Sequence, residues 1–92
     1  MESVETQLKG VVERIRIIRM RKSMSQLELS LQANLSQSFL ACVESGKKQP
    51  SVMTLLRIAN ALKVSPALFF SDEENASRED VKDRIIELVR TL

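Results

Sequence analysis

The chain has 92 residues, of which 43% are apolar, so we expect one small domain with one core and no second domain for sensing a ligand. One cysteine cannot form an internal disulfide, and histidine, tryptophan and tyrosine are absent, which argues against an enzyme. We therefore expect no catalytic residue, no metal and no cofactor. Nothing resembles a signal peptide or a membrane span, which predicts a cytoplasmic protein that does not bind membranes.

The net charge of +2 is unevenly distributed along the chain. Residues 9–63 carry ten bases and three acids, a net charge of +7, whereas residues 71–92 carry four bases and seven acids, a net charge of −3. A basic body with an acidic tail suits binding of a polyanion by the body alone. The simpler alternative is an ordinary solvated surface.

The first helix is predicted from about Gly10 to Lys22, because apolar residues recur there at helical spacing. Residues 1–9 are polar and without a pattern, and we interpret them as an N-terminal extension without an assigned role, either a frayed start or an extra half-turn before the first helix. The apolar stripe of the first helix consists of Val11, Ile15 and Ile18.

The stretch from Ser25 to Gly46 predicts two short helices joined by a tight turn. Ser25 and Ser36 are favoured N-cap residues, so each is expected to begin a helix. Asn34 tolerates the left-handed conformation that ends a helix, and Gly46 suits the same role at the end of the second helix. The second helix has one apolar side and an opposite side of small, uncharged residues. This order of elements is the helix-turn-helix plan.

Two further helices are predicted after the basic loop. Ser51 can cap a fourth helix with a largely apolar side, and Ser65 followed by Pro66 suits the start of a short fifth helix. The fifth helix ends in three consecutive large apolar residues, Leu68, Phe69 and Phe70. They cannot all face inward on one short helix, so we expect at least one to face a partner.

The last segment, residues 72–92, is predicted as an acidic turn and a C-terminal helix with an apolar seam. The seam either docks on its own domain or pairs with a second chain, and we favour pairing. The predicted dimer interface consists of Leu68, Phe70, Ile85, Leu88 and Val89. The expected fold is thus all-α, with an N-terminal extension (1–9), a five-helix domain (10–71) and the predicted dimerisation element (72–92).

The pattern of residues between about 11 and 70 resembles the phage-repressor type of helix-turn-helix, the Cro and XRE family. The resemblance implies a phage-repressor-like DNA-binding domain, and restriction-modification controller proteins look similar. The residues that carry it are Arg19, Met24 to Leu29, Asn34-Leu35-Ser36, Leu40, Val43 to Gly46, Pro50-Ser51 and Leu55 to Ser65.

The resemblance also implies which residues meet DNA. It assigns base contacts to Gln37, Ser38, Ala41 and Cys42, and an ion pair to Arg19 and Glu44. Cys42 departs from the family, where Arg, Lys or Gln is frequent, so direct readout is expected to be sparse. We predict contacts with the DNA backbone from Gln26, Ser36, Phe39, Lys47, Lys48, Arg14 and Arg21. Phe39 can instead anchor in the core, and the sequence leaves both roles open.

The leading functional prediction is a homodimeric transcriptional regulator that binds a palindromic operator in double-stranded DNA. The alternative is an antitoxin that binds a protein toxin and represses its own operon. A contact with RNA polymerase needs no recognisable motif and stays open in both cases. A third class, a helical module that binds only proteins, is suggested by the uncharged side of the third helix and opposed by the basic loop.

Overall fold

The computed structural model describes residues 2–71, and within this range the chain consists of helices joined by turns, without a strand. This confirms the predicted all-α class; the predicted C-terminal helix lies outside the described residues. None of the described helices combines the length and the hydropathy needed to cross a lipid bilayer. The elements are α1 (Val4–Arg21), α2 (Gln26–Gln32), α3 (Gln37–Glu44), α4 (Val52–Leu62) and a 3-10 helix (Pro66–Phe70).

Every described helix begins directly after a serine. In each case the serine hydroxyl accepts a hydrogen bond from a backbone N–H two or three residues further on, which satisfies one of the unpaired donors at the helix start. The four caps predicted from sequence are Ser25, Ser36, Ser51 and Ser65. The fifth cap is Ser3, which accepts from the Thr6 N–H.

The start of α1 was predicted wrongly. The helix begins at Val4 and not near Gly10, because the Ser3 cap and the acidic Glu5 in the first turn favour a helix start there. The apolar stripe also extends toward the N-terminus, with Leu8 half-buried. The division of the chain into residues 1–9, 10–71 and 72–92 stays a prediction.

The turns between helices use left-handed backbone at four positions. Asn34 has a φ of 57° and Gly46 a φ of 81°, which confirms the two positions predicted from sequence. Ser23 (φ 55°) and Lys63 (φ 59°) adopt the same conformation without being glycine or asparagine, and neither was predicted. The short α2 to α3 turn keeps the two helices packed on each other.

The core is formed by residues from α1, α2, α3, α4 and the 3-10 helix. Phe69 is fully buried there, whereas its neighbour Phe70 is 64% exposed and Leu68 is half-buried against the core. The three residues thus do not all face inward, as expected, and the contact of the exposed one with a partner stays a prediction. The other fully buried large side chains include Ile15, Leu29, Leu40, Val43, Ile58 and Leu62.

Candidate nucleic-acid interface

The side of α3 that turns away from the core is small and uncharged. Leu40 and Val43 are fully buried and fix the helix on the bundle, while the opposite side faces solvent. We call this opposite side the polar face of α3; it consists of Gln37 and Ser38, both exposed, and of Ala41 and Cys42, both half-buried. An α-helix with its side chains is about 10–12 Å across, which fits the roughly 12 Å width of the major groove of B-form DNA.

An ion pair holds α3 against α1. The Arg19 guanidinium donates from Nε to Glu44 Oε2 and from Nη2 to Glu44 Oε1, both at 2.9 Å. Its third donor, Nη1, reaches the Met24 carbonyl oxygen at 2.8 Å. The side chains are only 13% and 4% exposed, so this bidentate pair is shielded from water. It connects the end of α1, the start of α2 and the end of α3.

Gln26 belongs to the same hydrogen-bond network. Its side-chain amide donates to Glu44 Oε1 at 3.3 Å, which ties the first residue of α2 to the last residue of α3. One of the two amide hydrogens is thereby engaged, and the second can still meet a phosphate oxygen. The network therefore fixes the Gln26 side chain at the start of α2, and its contact with the DNA backbone stays a prediction.

The basic loop leaves α3 through a fixed backbone turn. Gly46 adopts its left-handed conformation, and the Lys47 and Lys48 amides both donate to the Cys42 carbonyl oxygen, at 2.8 and 3.1 Å. Both lysine side chains are exposed. The Lys48 ammonium lies 5.8 Å from the centre of the Phe39 ring, and Phe39 is half-buried.

The arginines of α1 serve different purposes. Arg14 was predicted to contact phosphate, but its Nη1 donates to the Phe69 carbonyl oxygen at 2.9 Å. Arg14 thus ties α1 to the 3-10 helix, and its contact with phosphate stays a prediction. Arg16 forms an exposed pair with Glu13 at 3.0 Å, and this hydrogen bond raises the pKa of Arg16. Arg21, in the last turn of α1, is exposed and stays a candidate phosphate ligand.

A groove of about 520 Å³ lies between the N-terminal half of α1 and the basic loop. Lys9 from α1 and Lys48 from the loop both line it, together with the apolar side chains of Leu8 and Val12. This groove was not predicted from sequence, because residues 1–9 were interpreted as an extension and not as part of α1. The signal that could have revealed it was the Ser3 cap.

The described fold is that of a helix-turn-helix domain, a class of DNA-binding domain in which the second helix of the pair typically enters the major groove. The family model Helix-turn-helix (HTH_3) matches residues 15–69. The chain belongs to this family.

Curated relatives include regulators from a phage and from a bacterium. The immunity repressor protein of Bacillus phage phi105 is 33% identical over 72 residues, which cover 78% of this chain and 50% of the repressor. The chain thus matches about half the length of that relative. The uncharacterised HTH-type transcriptional regulator YqaF of Bacillus subtilis (strain 168) is 28% identical over 65 residues, covering 71% of this chain and 86% of YqaF.

Similar solved structures include two restriction-modification controller proteins. C.AhdI from Aeromonas hydrophila is 31% identical with a TM-score of 0.68, covering 71% of this chain and 98% of C.AhdI. C.Esp1396I, solved as a tetramer in complex with its natural 35 base-pair operator, is 30% identical with a TM-score of 0.66. That match covers 75% of this chain and 88% of the controller protein.

Proposed function

We propose that this protein is a transcriptional regulator that binds a palindromic operator in double-stranded DNA as a homodimer. The observation that carries the proposal is the polar face of α3, exposed and uncharged on a helix whose Leu40 and Val43 are fully buried. Such a surface enters the major groove without repulsion from the phosphates and without moving the bundle. The repressor, regulator and controller names of the related proteins support this proposal.

The polar face offers few specific contacts with bases. Gln37 carries a donor and an acceptor that match adenine N6 and N7, Ser38 can donate or accept, and the Ala41 methyl can meet a thymine methyl. We expect a preference for A·T pairs at these steps. The Cys42 thiol is a weak hydrogen-bond donor, so specificity also depends on DNA shape and on the symmetry of two half-sites.

Binding strength comes mainly from contacts with phosphates. Lys47, Lys48 and Arg21 are exposed cations, and Gln26 and Ser36 lie at the starts of α2 and α3, where backbone N–H groups favour anions. Each cation that neutralises a phosphate releases counterions, so affinity falls as salt concentration rises.

Homodimer formation is supported by apolar side chains that the described bundle leaves in water. Phe70 is the exposed member of the predicted interface, while Leu68 contributes only its outer part because it packs against the core. Ile85, Leu88 and Val89, the other predicted members, lie outside the described residues. Further exposed apolar side chains on α4 are Val52, Met53 and Leu56. Two copies related by a two-fold axis would bind half-sites about 10 base pairs, or a multiple of this, apart.

The test is selection of bound sites from random double-stranded DNA at a stated salt concentration, together with the mass of the purified protein in solution. We expect a symmetric site with A·T pairs at the steps read by Gln37, and a stable dimer. A matched selection with Gln37→Ala should lose that preference. Failure to enrich any sequence would contradict the proposal, and a monomer stabilised only by the product of a neighbouring gene would support the antitoxin alternative.

A further inference from the structure

Phe39 and Lys48 form a cation–π contact beside the polar face of α3. Phe39 lies in the first turn of α3, one helical turn before Cys42, and Lys48 lies in the basic loop. The Lys48 Nζ is 5.8 Å from the ring centre, within the roughly 6 Å over which the face of an aromatic ring attracts a cation. The side chain of Lys48 thus turns back toward the start of α3.

The backbone of the loop holds Lys48 in place for this contact. The Lys47 and Lys48 amides share the Cys42 carbonyl oxygen as acceptor, so the loop is attached to the last turns of α3. Lys47 differs from its neighbour, because within residues 2–71 its side chain makes no hydrogen bond, ion pair or ring contact. The two adjacent lysines are therefore a natural matched pair within the described residues, one with a ring contact and one without.

We propose that Phe39 is a positioning residue for Lys48, whose ammonium its ring holds where a phosphate of bound DNA arrives. Fixing a long side chain during binding costs conformational entropy, and a side chain that is already ordered avoids part of that cost. Phe39 thereby strengthens DNA binding through Lys48. This inference rests on the proposed function, since it assumes that the polar face of α3 lies in the major groove.

The test replaces Phe39 with 3,4,5-trifluorophenylalanine, which keeps the shape of the ring but removes the negative potential of its face. We expect operator affinity to fall about two- to fivefold, the range that corresponds to cation–π contacts at exposed sites. In a Lys48→Met background the same replacement should have no effect. In a Lys47→Met background it should have its full effect.

The salt dependence of binding separates positioning from loss of charge. Lys48→Met should reduce the slope of log affinity against log salt by about one, because one phosphate contact is lost. Fluorination of Phe39 should leave the slope unchanged, because the ammonium keeps its charge. Thermal unfolding of each variant is the control for an intact fold. The fluorinated ring keeps the shape of the natural one, so we expect only a small packing defect at position 39.

The outcomes distinguish this inference from the proposed function. If the unaltered protein binds no DNA, the proposed function fails and this inference fails with it. If the protein binds its operator and fluorination changes affinity equally with Lys48 and with Met at position 48, the inference is overturned while the proposed function stands. Tighter binding of the fluorinated protein would also overturn it, because the ring would then compete with phosphate for the ammonium.

Discussion

Replacement of Glu44 tests directly how the polar face of α3 is held in shape. Glu44→Ala removes three side-chain hydrogen bonds, two from Arg19 and one from Gln26. Arg19, 13% exposed, would keep only the Met24 carbonyl oxygen as a partner. Removing one partner of a fully buried pair costs about 3–5 kcal/mol. Because Arg19 retains that partner and some contact with water, we expect a loss of about 2–3 kcal/mol in the free energy of unfolding.

Thermal and urea unfolding measure this loss. In a domain of this size about 1 kcal/mol corresponds to 4–8 °C, so the melting temperature should fall by about 8–24 °C. The Arg16–Glu13 pair supplies a matched control, since its side chains are 47% and 53% exposed, and Glu13→Gln should leave the midpoint unchanged. The double variant Arg19→Met, Glu44→Leu should recover most of the stability, because apolar side chains of similar size avoid the isolated charge. Equal midpoints for Glu44→Ala and Glu13→Gln would refute the reasoning.

Three further changes test other parts of the structure. Gly46→Ala should lower the free energy of unfolding by about 1 kcal/mol in a urea titration. A Cβ at this position meets no atom within 4 Å, so the cost comes from the φ of 81° alone, and an unchanged midpoint would contradict this. Leu40→Ala should lower the free energy of unfolding by about 2–5 kcal/mol in the same titration, because the Leu40 side chain is fully buried. A loss below about 1 kcal/mol would show that α3 packs loosely on the bundle. Gln37→Ala should reduce the difference in binding free energy between adenine and the other bases at the contacted step by about 1–3 kcal/mol in competition binding, with thermal unfolding unchanged. An equal loss of affinity for every base pair at that step would argue against direct readout.

The helix ends could be predicted because their chemistry is local. Ser25, Ser36, Asn34 and Gly46 each occupy a position whose backbone demands few residue types, so the residue itself indicates the structure. The pair of Arg19 with Glu44 was different. Its partners stand 25 residues apart, and only the family resemblance connected them before the geometry was known.

Features that depend on tertiary contacts were missed. The hydrogen bond from Arg14 to the Phe69 carbonyl oxygen, at 2.9 Å, is one of them, because nothing in the local sequence of Arg14 indicates it. The sequence likewise left two roles open for Phe39, a core residue or a contact with the DNA backbone. The contact of its ring with Lys48 could not be predicted, because the position of the Lys48 side chain follows from the turn after α3. Left-handed backbone at Lys63 is a similar case, because Lys has no intrinsic preference for that conformation.

The shortness of α3 has a consequence for how this surface opens. Eight residues are too few for a helix to persist alone in water, so α3 owes its existence to Leu40, Val43 and the bond from Arg19. Its amide protons should accordingly exchange with deuterated solvent only when the whole bundle unfolds, at a rate set by global stability. A substitution that weakens the packing of α3 should therefore lower the stability of the whole bundle and weaken the proposed DNA binding at the same time.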